Sequence, residues 1–192
     1  MPIQLLAASL PAGHDGAAAS QLGRQLLSGL CRQRGWDCPQ EDWSPRGQPP
    51  DHPLLPDGQY AGISHSARLV IAGLASEPFG LDLEYHRPRR TSRLPEMLEF
   101  LPEAAIRKRI QNAQDPTAAF YRYWTAREAI FKQAGSRYAH LFAVDLEQAL
   151  EKTDLSIRVW QSEQWSFALT SNSPLAITLP APLDTLQAAI LD

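Results

Sequence analysis

Cysteine is scarce in this chain. Cys31 and Cys38 are the only two, and they have no metal-ligand spacing. That excludes a disulfide scaffold and a thiolate metal site, and leaves reduced thiols in a cytoplasmic protein as the expectation. No apolar run approaches the roughly 18 residues of a membrane span. The opening MPIQLLAASLPAG has no basic leader and too short an apolar stretch for a signal peptide, so no membrane partner is expected. Positive charge is not in excess either: a net charge of −3 argues against a general nucleic-acid binder. There is no Walker loop, no G-x-G-x-x-G, no H-E-x-x-H and no G-x-S-x-G. His14, His52, His65, His86 and His140 are scattered, which speaks against zinc.

What is present is ordinary in bulk. With 192 residues, 44% hydrophobic and 20% charged, the chain suits one large soluble domain or two small fused ones. Ile3 to Ser9 reads as a strand. Ala17 to Arg34 reads as an amphipathic helix on Leu22, Leu26 and Leu30, with Leu27 and Cys31 beside them and Gly35 as its stop. Arg24 lies off that stripe. From Trp36 to Gln59 six prolines interrupt any regular element, predicting a long wrapped loop.

Tyr60 to Ser64, Arg68 to Ala75 and GLDLEY (Gly80 to Tyr85) read as an antiparallel meander, with Ser64-His65-Ser66 closing the first strand. In GLDLEY, Leu81, Leu83 and Tyr85 face one side while Asp82 and Glu84 face the other; alone, that pattern describes a half-buried strand with a wet acidic face. Arg87, Arg89, Arg90 and Arg93 follow directly, then Arg107, Lys108 and Arg109. These form a basic stretch that suits a local anionic partner or a solvated surface equally.

Helical pieces are expected over Leu94–Phe100 and Pro102–Gln111. A longer helix runs from the cap signal Asp115-Pro116 to Gly135. Its apolar stripe is Phe120, Tyr123, Trp124, Ile130, Phe131 and Ala134. Glu128 and Lys132 flank the stripe, and Arg127 lies inside it, where burial would demand a partner. Strands are expected over Ser156–Trp160, Trp165–Thr170 and Leu175–Leu179. The order is an α+β pattern of mostly antiparallel strands without βαβ alternation.

If GLDLEY and the long helix meet, Asp82, Glu84 and Glu128 form an open oxygen half-shell for Mg²⁺. Lys132 could then neutralise a phosphate, and Arg127 could fork onto another. Such a set suits displacement at phosphorus or a pyrophosphate site.

These residues resemble the Sfp-type 4′-phosphopantetheinyl transferases. The hallmarks G-[IVC]-D-[IVL]-E and W-[ST]-x-K-E-[AS]-x-x-K stand here as Gly80-Leu81-Asp82-Leu83-Glu84 and Trp124 to Lys132, preceded by Ser64-His65-Ser66 and by Arg24-Gln25-Leu26-Leu27. The short chain and its Arg127-Glu128-Ala129 look most like the AcpT-like branch of the family. The resemblance implies a pseudo-twofold α+β fold of two similar halves, placed at 1–76 and 77–192, with coenzyme A between them. It implies Mg²⁺-dependent transfer of the 4′-phosphopantetheine arm to a serine of an apo acyl or peptidyl carrier protein, as in fatty-acid, polyketide or nonribosomal peptide synthesis.

By position, Asp82, Glu84 and Glu128 would hold Mg²⁺. Glu128 would take the serine proton, and Lys132 would stabilise the leaving phosphate. Ser64 and His65, with Arg24 nearby, would contact the 3′-phosphate of coenzyme A. The acidic carrier would meet the basic stretch, and a monomer is expected. Two departures stand out. Arg127 occupies the family's lysine position, and the family's G-K-P reads Gly47-Gln48-Pro49, so Arg46 is expected to replace the missing lysine. A non-catalytic coenzyme A or carrier-binding module and a phosphohydrolase of coenzyme A are the alternatives.

Overall fold

The computed structural model describes residues 3–87 and 92–191, with Arg89 and Arg90 outside the described residues. Two sheets carry the architecture. The first has the order β1-β3-β2, from β1 (Gln4–Ser9), β2 (Tyr60–Ser66) and β3 (Leu69–Ala75). The second has the order β4-β6-β5-β7, from β4 (Phe79–Tyr85), β5 (Ser156–Gln161), β6 (Trp165–Ser171) and β7 (Gln187–Ala189). Every backbone ladder among the described residues is antiparallel. The helices are α1 (Gly16–Gln33), α2 (Leu94–Glu99), α3 (Ala104–Asn112), α4 (Pro116–Ala134) and α5 (Leu146–Glu151).

One pattern recurs. A strand leads through helix to a hairpin whose second strand returns to pair with the first: β1-α1-β2-β3, then β4-α4-β5-β6. This repeat lies in the topology, and its residues do not resemble one another. The expected meander breaks after β3, because β4 pairs with β6 and opens the second sheet.

Side-chain alternation on β3 and β4 sets the layers. Ala72 and Leu74 pack with Leu27, Leu30 and Trp43 under α1. Ile71 on β3 packs with Leu81, Leu83, Phe167 and Leu169 between the sheets. On the far face of the second sheet, Ala168 and Val159 meet Phe120, Tyr121 and Ile130 of α4 and Ile106 of α3. β3 is buried along its whole length, which explains its uninterrupted apolar sequence.

Asp15 caps α1 with its carboxylate on the amides of Ala17 and Ala18. The buried face of α1 takes Leu27, Leu30 and Cys31 from the expected stripe and adds Ala19, Gly23 and Ser28, while Leu22 and Leu26 are half-buried. α4 begins at Pro116 with Asp115 as its cap and ends at Gly135 in a positive-φ conformation. α3 starts at Ala104, two residues beyond Pro102.

Leu175–Leu179 is not a strand. Leu175, Ile177 and Leu179 anchor an extended run onto the inter-sheet core with no ladder partner, and Gln187–Ala189 supplies the last strand instead. Its alternation was real, but alternation reports a buried face and not the presence of a pairing edge.

Cys31 and Cys38 are buried and free. Burial, reinforced by the neighbouring Cys38 thiol, pushes Cys31 up to about 12. The native protein at pH 8 should therefore resist iodoacetamide at both sites. Mass spectrometry before and after unfolding reads the outcome, and rapid native alkylation would contradict it.

Candidate active site

Gly80 decides whether the two motif segments meet. A Cβ there would lie 1.8 Å from the carbonyl oxygen of Ala129, so only glycine lets α4 lie directly on β4. The Thr170 hydroxyl reaches the Ala129 carbonyl at 3.3 Å from the next strand and ties the same contact. The acidic face of β4 is therefore covered by a helix rather than wet. Asp82 is 2% exposed.

That contact assembles the carboxylates. Asp82, Glu84 and Glu128 each bring an oxygen within 4.8 Å of the others. Lys132 Nζ donates to Asp82 Oδ1 at 2.5 Å and to Ser64 Oγ at 3.2 Å, and lies 3.9 Å from Glu128 Oε2. The other oxygen of Asp82, Oδ2, is buried without a hydrogen-bond partner. A buried carboxylate oxygen without a donor is costly, and beside two more carboxylates it fits a hard divalent cation.

The electrostatics agree. Burial, then repulsion from Asp82 and Glu84, pushes Glu128 up to about 8 against the pull of Lys132. Burial draws Lys132 down, but Asp82 and Glu128 outweigh it and hold the ammonium above its ordinary value.

Glu84 walls one cavity, which shares His65 with a second. The smaller, about 130 Å³, is lined by Ser20, Arg24, Ser44, Arg46 and Gln48. The larger, about 730 Å³, is lined by His14, Arg68, Glu84, Arg87 and Trp165. Arg24 ties the long loop to α1, donating to the Ser44 carbonyl at 2.6 Å and to the Ser20 carbonyl at 2.9 Å. Partial desolvation, then the charges of Lys132 and Arg46, lowers the His65 imidazole at the junction.

Not every expected residue gathers here. Arg127 is fully buried away from the carboxylates, where it pairs with Glu103 and donates to the Val144 carbonyl at 2.6 Å. Its place in the apolar stripe demanded a partner, and that partner is the residue preceding α3 rather than a phosphate. Glu103 also accepts from the Leu146 amide, so the pair joins α3, α4 and α5.

Ser64 is likewise absent from the small cavity. It lies within β2, and its hydroxyl donates to Asp82 Oδ1 at 2.9 Å. The basic stretch disperses too: Arg93 pairs with Glu96, Arg107 donates to the carbonyls of Leu101 and Pro102, and Arg87 lines the large cavity. Arg68 and Trp165, which wall the large cavity, belong to no motif in the sequence.

The sequence model of the 4′-phosphopantetheinyl transferase superfamily matches residues 78–179. The 4′-phosphopantetheinyl transferase AcpT of Escherichia coli (strain K12) is 30% identical over 158 residues, covering 81% of this chain and 76% of that one. Sfp of Bacillus subtilis (strain 168), another 4′-phosphopantetheinyl transferase, is 30% identical over 65% of this chain and 50% of its own length. HetI of Nostoc sp. (strain PCC 7120), named likewise, is 33% identical over 59% and 48%. Against Sfp and HetI the chain thus spans about half the relative's length. The chain belongs to the 4′-phosphopantetheinyl transferase superfamily.

Proposed function

We propose that this protein moves the 4′-phosphopantetheine arm of coenzyme A onto a serine hydroxyl of an apo acyl or peptidyl carrier protein, in the cleft between halves 1–76 and 77–192. The carrying observation is the convergence of Asp82, Glu84 and Glu128 within 4.8 Å, with Lys132 seated on Asp82. The serine oxygen bonds to the β-phosphorus of coenzyme A as the pyrophosphate bridge breaks, and adenosine 3′,5′-bisphosphate leaves.

Asp82, Glu84 and Glu128 would hold Mg²⁺, which when bound neutralises pyrophosphate charge. Glu128 takes the serine proton. Lys132 offers an ammonium to the departing phosphate. Arg46 and Arg24 at the small cavity suit the 3′-phosphate, with His65 at the bend and the large cavity left for the arm and the carrier. Arg68 and Arg87 at that cavity suit an acidic carrier. The protein works as a cytoplasmic monomer.

Mass spectrometry of apo acyl carrier protein incubated with the protein, coenzyme A and Mg²⁺ tests it. A phosphopantetheine increment on the carrier serine is expected. Binding without an increment, or coenzyme A cleavage without carrier, overturns the proposal. Arg46→Ala should raise the KM for coenzyme A about tenfold, the scale of one charge-assisted contact, with kcat little changed. An unchanged KM would remove Arg46 from the phosphate site.

A further inference from the structure

The two sheets meet along edge strands β2 and β4, and serine hydroxyls make the junction. Ser64 Oγ accepts from the Leu83 amide at 3.1 Å and donates to Asp82 Oδ1 at 2.9 Å. Two residues on, Ser66 Oγ accepts from the Tyr85 amide at 3.0 Å and donates to Glu84 Oε2 at 3.1 Å. The offset is the same at both positions: 18 residues to the carboxylate and 19 to the amide.

β2 and β4 therefore run parallel, and each hydroxyl stands where a backbone carbonyl would serve in a continuous ladder. Each serine closes a ring with one amide and the carboxylate of the preceding residue. The alternating amides of β4 that face away from β6 would otherwise lack an acceptor. The intervening His65 points the other way and walls the cavities. A one-residue slip between the strands would present His65 or Ala67 to the carboxylates in place of hydroxyls.

We infer that Ser64 and Ser66 are positioning residues: they set the register between the two halves and aim the Asp82 and Glu84 carboxylates at a shared cation. The inference rests on the metal reading above. Ser66 gives the cleaner test, because Ser64 also accepts from Lys132. The hydroxyl bond to Glu84 holds one oxygen, which orients the other, as partners of ligating groups do in metal sites generally.

The test is calorimetric titration of the full-length protein with Mn²⁺ alone, without coenzyme A or carrier. Ser66→Ala should weaken Mn²⁺ binding about tenfold or more. Ser66→Thr, which keeps the hydroxyl, should stay within about threefold of wild type. Because Ser66 acts through Glu84, the double variant Ser66→Ala/Glu84→Gln should bind no more weakly than Glu84→Gln alone.

Wild-type affinity in Ser66→Ala, loss in Ser66→Thr equal to that in Ser66→Ala, or full additivity in the double variant overturns the inference. A wild-type protein that binds no Mn²⁺ overturns the metal reading itself. Hydrogen exchange on the unaltered protein gives a measurement independent of any variant. The Tyr85 amide should be protected like those of β6, and fast exchange there overturns the hydroxyl bridge.

Discussion

Glu128→Gln should lower phosphopantetheine transfer roughly 10³-fold while the protein folds normally, because the substitution removes both the proton acceptor and one of three oxygen ligands. Single-turnover transfer to apo carrier reads the loss. An active, metal-dependent Glu128→Gln protein would sink the assignment of both roles. The same substitution has an opposite effect on stability. Glu128 titrates at about 8 in the folded chain against a reference of 4.5, so between those values the folded state keeps a proton that the unfolded state has lost. Stability of the metal-free protein therefore falls as pH rises from about 4.5 towards 8, by an amount on the order of a few kcal/mol. Glu128→Gln should flatten that fall, and Mn²⁺ should recover it in the wild type. Thermal midpoints in EDTA at pH 5 and pH 8 separate the two proteins; an equal decline in both would remove Glu128 as its cause.

Gly80→Ala should be the most damaging single-methyl change in the molecule. The new Cβ would lie 1.8 Å from the Ala129 oxygen, 2.7 Å from its carbonyl carbon and 2.8 Å from the Gln133 amide. All three are backbone atoms of α4, so no rotamer can yield and the helix must back away from β4. The expected cost is about 3 kcal/mol, at the upper end for overpacking. That corresponds to a fall of roughly 6–12 °C in thermal midpoint for a chain of this size. Retreat of α4 also carries Glu128 and Lys132 away from Asp82, so transfer and Mn²⁺ affinity should fall together even below the melting range. Gly29→Ala is the control. Its Cβ would meet only Leu6 at 3.7 Å, and within α1 it should stabilise by a few tenths of a kcal/mol or more. A Gly80→Ala protein with wild-type midpoint and metal affinity would show that the close contact does not hold the site together.

The α+β class, the limits of α4 from Asp115 to Gly135, and the identities of Asp82, Glu84, Glu128 and Lys132 were legible in the residues, because caps, stops and spaced carboxylates are local signals. So was the unease over Arg127, since a charge in an apolar stripe requires a partner. What the partner is, Glu103, depends on how α3 packs. Sequence alone could not separate a wet acidic strand from a cation site. Alternation says only that two faces differ, and whether the acidic face meets water or a helix depends on the contact at Gly80. Nor could it tell that Ser64 and Ser66 bond to the carboxylates, because that depends on two sheet edges lying side by side. The chain by itself determined which chemical groups are present and which local elements carry them. Only tertiary packing decided which groups face one another, because contacts between segments distant in sequence leave no periodic signature in either segment.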